Sequence, residues 1–197
     1  MCSLNDGPMI TIVPYLRDWP DQFVRLGRGL RDVLGDLALR IDHVGSTSVP
    51  GLAAKDIIDT QVSVRALTTE LGDALDRAGY EPRGHITRDH VPAGGPEDPE
   101  QWRKWFYNER DGVRRVNLHV RVAGRANQRY AVLFRDYLRA NAAAAAAYGQ
   151  VKTALAGSHA DDDEAYYAVK DPVCDIIMVG AEAWATGTGW VPGPSDK

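Results

Sequence analysis

Alternation of apolar and polar positions is clearest from Arg114 to Val122, where Val116, Leu118, Val120 and Val122 point one way and Arg115, Asn117, His119 and Arg121 the other. Such a strand needs an apolar cover on one side and presents a row of donors and possible ligands on the other. Ala38 to Val44 and Ile57 to Val64 have the same extended character, a weaker strand lies around Trp105 to Tyr107, and Ile10 to Pro14 forms a short strand or extended arm. Helical spacing begins at Pro20, with Phe23, Leu26, Leu30 and Leu34 three or four apart until Gly35. It returns from Thr68 to Ala78, where Leu71, Leu75 and Ala78 share a side and Gly79 closes the segment. From Asn127 the stripe Tyr130, Leu133, Phe134, Tyr137 and Leu138 predicts a third helix. The alanine run Ala142 to Ala147 predicts a fourth, capped by Asn141 and ending near Gly157. A last helical stretch starts at Asp161 to Glu164, and Pro172 is expected to bend or restart it.

These elements predict an α+β fold: a mixed sheet holding the strands around Ala38 to Val44, Ile57 to Val64 and Arg114 to Val122, helices packed mainly on its apolar face, and a helical C-terminal part. A length of 197 residues suits one domain. Residues 1–8 and the Gly/Pro-rich residues 188–197 are expected to be flexible tails. Between Glu81 and Asp111, Gly84, Pro92, Gly94, Gly95, Pro96 and Pro99 break the pattern, giving a long loop that is either a lid or binding element or a mobile surface excursion.

A formal net charge of -4 argues against broad attraction to nucleic acid, so no sequence-specific nucleic-acid partner is expected. With no apolar core in Met1 to Pro8 and no apolar run near the roughly 20 residues that span a bilayer, the expectation is a cytoplasmic protein without a membrane partner. Two cysteines, Cys2 and Cys174, make a structural disulfide improbable and a thiol metal site impossible.

Candidate chemistry gathers at Ile41 to Val64, IDHVGSTSVPGLAAKDIIDTQVSV. Gly45 permits close backbone approach, and Ser46, Thr47 and Ser48 offer N–H and O–H groups to an anion. Asp59 follows Ser46 by thirteen residues, inside a strand-like run where its charge needs solvent, a partner or a metal. If Asp59 and Gln61 share a face with the polar row of the Arg114 to Val122 strand, Asp59 and His119 meet in one cleft. Asp56, three positions before Asp59, falls on the opposite face.

HVGSTSVPGLAAKDIID resembles the signature of the GrpB-like family, close to H-I-G-S-T-S-V-P-G-L-A-A-K-P-I-I-D, which belongs by fold to the nucleotidyltransferase superfamily. Val13-Pro14-Tyr15 with Trp19, Asn117-Leu118-His119-Val120, Phe134 to Arg139, and Tyr148 with Lys152 extend the resemblance over nearly the whole chain. It implies a nucleotidyltransferase-like protein that moves a nucleoside monophosphate from a nucleoside triphosphate to a small-molecule acceptor, with Mg²⁺ or Mn²⁺ as cofactor. The alternative is a catalytically degenerate nucleotide- or metabolite-binding module of the same fold. In the first, Gly45 and Ser46 with Thr47 and Ser48 hold phosphates, Asp59 is the metal-binding catalytic acid, and His119 is a ligand or general base. His43 is equally a ligand or a structural hydrogen-bonder. Lys55, Arg121, Arg135, Arg139, Lys152 and Lys170 are the candidate phosphate-binding cations, and either Trp102 or Trp105 is placed to stack on a base. Active superfamily members usually carry a second acid two residues from the first, whereas here Ile57 and Gln61 flank Asp59.

Overall fold

The structure, a computed structural model, describes residues 9–110 and 115–196. The expected N-terminal tail, Cys2 and the proposed start of a strand at Arg114 lie outside them. Five strands, β1 (Ala38–Val44), β2 (Ile58–Val64), β3 (Tyr80–Pro82), β4 (Lys104–Glu109) and β5 (Val116–Val122), form one sheet in the order β1-β2-β5-β4-β3. β2 and β5 run parallel and the other pairs antiparallel, so the sheet is mixed as its sequence pattern requires. Five helices complete the fold: α1 (Trp19–Leu34), α2 (Thr69–Arg77), α3 (Ala126–Ala140), α4 (Ala142–Ser158) and α5 (Asp163–Thr188).

Register decides what each face carries. Asp42 lies opposite Gln61 and Val44 opposite Asp59; across the parallel pair Asp59 meets Asn117 and Gln61 meets His119, and β4 sets Lys104 beside Arg121. All of these side chains share one face. The other face carries Ile41, Ile58, Val62, Leu118 and Val120, buried beneath Trp19, Phe23 and Leu30 of α1 and Leu71 and Leu75 of α2.

Helices cover both faces, not mainly the apolar one. The third helix has two chemistries: Leu133 and Leu138 pack into clusters shared with α4 and α5, while Asn127, Gln128 and Arg135 are buried on the side toward the polar sheet face. Gln128 O accepts from Gln61 Nε2 at 3.2 Å, and Arg135 reaches Asp42 at 3.8 Å. Polar groups of the helix, the Arg135 side chain and the Gln128 carbonyl, thus meet polar side chains of the sheet.

Three local expectations are corrected. Asn141 makes no side-chain cap on α4; its Nδ2 donates to Tyr137 O at 2.9 Å and closes α3 instead. The fifth helix runs through Pro172 as one helix, started by Asp162, whose side chain accepts from Ala165 N at 2.9 Å, and stopped by Gly189 at φ 64°. The Gly/Pro-rich end does not fray from the sheet: Gly193 O accepts from Arg40, Ser195 Oγ from Ile41 N and Asp196 Oδ2 from His43 N. It therefore occupies backbone donors of β1, which is an edge strand. Among the described residues no helix is long and apolar enough to cross a membrane.

The fully buried Asp42 carboxylate is bound by Arg40 at 2.8 and 3.1 Å and approached by Arg135, itself only 3% exposed and tied to Asp196 and His43 O. Replacing Arg135 by Leu should lower the unfolding free energy by about 3–5 kcal/mol, because Asp42 keeps its burial and loses one of two cations. Urea denaturation followed by circular dichroism measures it, and a loss below about 1 kcal/mol would show that Arg40 alone suffices.

Candidate functional site

The turn after β1 is built around contact with the Asp59 carboxylate. Gly45 has φ 69°, and a Cβ there would lie 2.4 Å from Asp59 Oδ2 and 2.8 Å from its Cβ, so no side chain fits. A single 3₁₀ turn, Ser46–Ser48, follows. Two of its hydroxyls are spent on holding it: Thr47 Oγ1 donates to Ile57 O at 3.2 Å and meets His43 Nε2 at 3.0 Å, and Ser48 Oγ donates to Gly45 O at 2.5 Å. Ser46 Oγ lies at the cleft, where it accepts from Lys152 Nζ at 2.8 Å.

The cleft beside this turn is a cavity of about 490 Å³ lined by Ser46, Lys55, Asp59, His119, Lys152 and Lys170, among others. Burial would raise the Asp59 carboxyl, but His119 and the hydrogen bond from Asn117 Nδ2 at 2.9 Å outweigh it and hold the group below its usual range. Asp59 is therefore ionised at neutral pH. His119 Nε2 stands 3.7 Å from Asp59 Oδ1, as the shared strand face predicts. Its Nδ1 lies 3.3 Å from both Lys104 Nζ and Arg121 Nη2, which are donors only, so Nδ1 accepts and Nε2 carries the proton toward Asp59. Burial and the neighbouring Arg121 and Lys104 charges push this imidazole down to about 4.

Lysine 152 is the electrostatic anomaly. It is 2% exposed, donates to Ser46 Oγ and to Ala53 O at 2.6 Å, and lies over the Tyr148 ring. Among the described residues no carboxylate comes within ion-pair distance of it. Burial, then the charge of Lys170, lowers its amine to about 7. Lys170 itself sits 3.3 Å from Asp171, and Lys55 lies over the rings of Tyr166 and Tyr167 at the cleft margin.

Other expected residues are placed elsewhere. His43 stacks on Phe23 at 4.7 Å on the apolar face, and burial lowers its imidazole to about 4; it does not face the cleft. Arg135 is locked to Asp42, Asp136 and Asp196, and Arg139 donates to Ser48 O at 3.0 Å, bracing the turn from behind. Arg121 borders the cleft but is engaged by Asp89, whose carboxylate accepts from Arg121 Nε and Nη2 at 2.8 and 2.9 Å, Lys104 at 2.7 Å and Asn127 at 3.0 Å. Asp89 belongs to the irregular stretch before β4, and nothing in its local sequence marks it. Of the two tryptophans, Trp105 packs against the core and Trp102 borders a cavity next to the cleft. Asp56 accepts from Trp19 Nε1 at 2.7 Å, away from Asp59.

The donor set for a divalent cation is thin. Among the described residues no group of three or more His, Cys, Asp or Glu side chains converges. At the position where a second acid would stand, Gln61 accepts from Arg121 at 2.7 Å and donates to Gln128 O. His119, with Nδ1 occupied and Nε2 protonated, offers no lone pair. One carboxylate does not make a Mg²⁺ site, which requires octahedral oxygen coordination.

Comparison with known proteins follows the same outline. A family model described as "GrpB protein" matches residues 9–179. A dephospho-CoA kinase of Mycolicibacterium paratuberculosis is 39% identical over 93% of the chain, and the chain spans 48% of that relative's length. A UPF0157 protein of Halalkalibacterium halodurans is 34% identical over 88% of the chain and 83% of its own length. The crystal structure of the conserved protein GrpB from Enterococcus faecalis superposes with a TM-score of 0.70 at 30% identity, covering 88% of this chain and 99% of that one.

Both buried imidazoles should stay neutral wherever the protein is folded above pH 5, because their pKa is lowered to about 4. Nitrogen-15 NMR should show His119 as the Nε2–H tautomer with shifts unchanged from pH 5.5 to 8. Unfolded imidazoles bind protons near pH 6.5, so stability should rise with pH from about 4 to 6.5. A His119 titration midpoint near 6.5 would refute the assignment.

Proposed function

Because the chain belongs to the GrpB family, we propose that it is a nucleotidyltransferase-like protein whose cleft binds a phosphate-bearing small molecule, foremost a nucleotide. The observation that carries this is Lys152, a buried lysine with no carboxylate within ion-pair distance among the described residues, donating to Ser46 Oγ of the turn. Burying an unpaired ammonium is costly unless the opposite charge arrives with a ligand. An anion at Ser46 Oγ meets Lys152 and Lys170 together, with Lys55 at the margin. Thr47, Ser48 and Arg139 support that site by fixing the turn.

A second reading, transfer of the nucleoside monophosphate to a small acceptor, is favoured by one observation: Asp59 is held ionised beside His119 in the wall of the same cleft. A divalent cation would neutralise phosphate charge there, with phosphate oxygens supplying most of its ligands. Asp59 would be its protein carboxylate. Pyrophosphate release separates transfer from binding. The ligand panel includes dephospho-CoA, since the mycobacterial relative carries the name of its kinase.

Binding of ATP at pH 8, followed by calorimetry in buffers of different ionisation enthalpy, should take up close to one proton. The free Lys152 amine is mostly neutral above its pKa of about 7, and only the ammonium form pairs with phosphate. Affinity should accordingly rise as pH falls from 9 toward 7. Lys152→Met should remove the proton uptake and weaken ATP about ten- to hundredfold, the value of a charged hydrogen bond of ~1.5–3 kcal/mol. Equal affinity in that variant would exclude Lys152 from the site.

Mg²⁺ titrated without nucleotide should give no binding heat, and Asp59→Asn should reduce any Mg²⁺-dependent gain in ATP affinity. A full gain in Asp59→Asn would make Asp59 a purely structural group.

A further inference from the structure

Beyond His119 the cleft opens into a second cavity of about 230 Å³ with different walls. Trp102 from the segment before β4, Tyr130 and Phe134 one turn apart on α3, and Tyr148 on α4 line it. Their rings form a chain: Trp102 edge-on to Tyr130 at 6.5 Å, Tyr130 stacked with Phe134 at 6.2 Å, Phe134 edge-on to Tyr148 at 5.6 Å. The wall is braced from behind. Trp102 Nε1 donates to Pro96 O at 2.8 Å, Tyr130 donates to Asp175, and a Cβ on Gly95 would come within 2.9 Å of the Trp102 ring.

This lobe suits a ring better than a phosphate. Aromatic side chains make up much of its lining, and its cations Arg121 and Lys170 are each already paired with a carboxylate of the same wall, Asp89 and Asp171. Asn127, also in the wall, spends its Nδ2 on Asp89 and Arg103 O, both at 3.0 Å, which fixes the amide orientation. Its Oδ1 is left buried with no hydrogen-bond partner. An unpaired buried acceptor carries a cost, which a ligand N–H removes once the Asn127 side chain turns its Oδ1 to the lobe. His119, Lys170 and Asp171 border both cavities, so they are two lobes of one cleft.

We infer that the aromatic lobe is the subsite for a planar ring carried by the same ligand whose phosphates occupy the Ser46–Lys152 lobe, so that the ligand straddles His119. The inference rests on the phosphate-binding reading and adds the class of the remainder of the molecule: an aromatic or heteroaromatic ring, as in a nucleotide, and not a sugar or aliphatic phosphate. Its polar edge faces Asn127 and its faces lie against the ring chain.

Calorimetry compares inorganic tripolyphosphate with each of the four ribonucleoside triphosphates. At least one nucleotide should bind about tenfold or more tighter than tripolyphosphate, the scale of base stacking on aromatic side chains. Ala131, partly exposed in the wall of the lobe, supplies a blocking variant. Ala131→Phe should bring that nucleotide down to the level of tripolyphosphate while tripolyphosphate itself binds as before. Phe134→Leu should reduce the same advantage by removing a ring, and unchanged tripolyphosphate affinity in each variant reports an intact fold and phosphate lobe. If no nucleotide exceeds tripolyphosphate, or if the advantage survives in both variants, the ring subsite is overturned and the phosphate site stands. If neither tripolyphosphate nor any nucleotide binds, both readings fail together.

Discussion

A sheet face that carries Asp42, Asp59, Gln61, His119, Arg121 and Lys104 can be covered only if each buried charge finds a partner, and the rest of the molecule is arranged to meet that demand. Partners come from distant parts of the chain. Arg135 of α3 and the C-terminal Asp196 serve the Asp42 end, and Asp89 serves Arg121 and Lys104 at the other. The irregular segment before β4 is thus fastened by its carboxylate, and α3 is held by polar contacts that an apolar helix could not make.

Within this compensated layer Lys152 stands out by having, among the described residues, only neutral hydrogen-bond partners, Ser46 Oγ and Ala53 O. Its lowered pKa follows directly: the ammonium loses water and gains no carboxylate, while Lys170 adds repulsion. The same reasoning distinguishes the arginines. Arg121, Arg135 and Arg139 already have acceptors and act as fasteners, whereas Lys170 shares Asp171 and Lys152 meets only neutral groups among the described residues.

Local backbone and side-chain chemistry meet at Gly45. The turn that presents Ser46 lies against the Asp59 carboxylate so closely that a methyl group would displace it, which couples this turn to the acid of β2. Gln61 occupies the position two residues on, where its amide bridges Arg121 and α3. Gln61 is thereby part of the scaffold, and Asp59 is the one acid of β2 at the cleft.

The sequence by itself determined β1, β2, β4 and β5, the helices and the face on which Asp59, Gln61, His119 and Arg121 stand, because strand period and helix period are local properties of the chain, whereas the three-residue β3 is too short to show a period and appears only by pairing with β4. Gly45 and Ser46 were legible for the same reason: a turn between strands with a glycine and a small hydroxyl is a local signal. Which charges would be used up was decided only by tertiary structure. Arg135 and Lys152 look alike on their helices, yet one meets carboxylates from β1 and the tail while the other meets a hydroxyl and a carbonyl. His43 and His119 both lie on strands, but α1 brings Phe23 over the first, and register brings Asp59 to the second. Asp89 and Asn127 carried no pattern at all, and the Gly/Pro-rich end read as a loose tail until the open edge of β1 supplied its partners. Pairing of charges as distant in sequence as Asp42 and Arg135 is a property of the packed molecule, since desolvation and proximity, which set its energy, exist only once the helices have closed over the sheet.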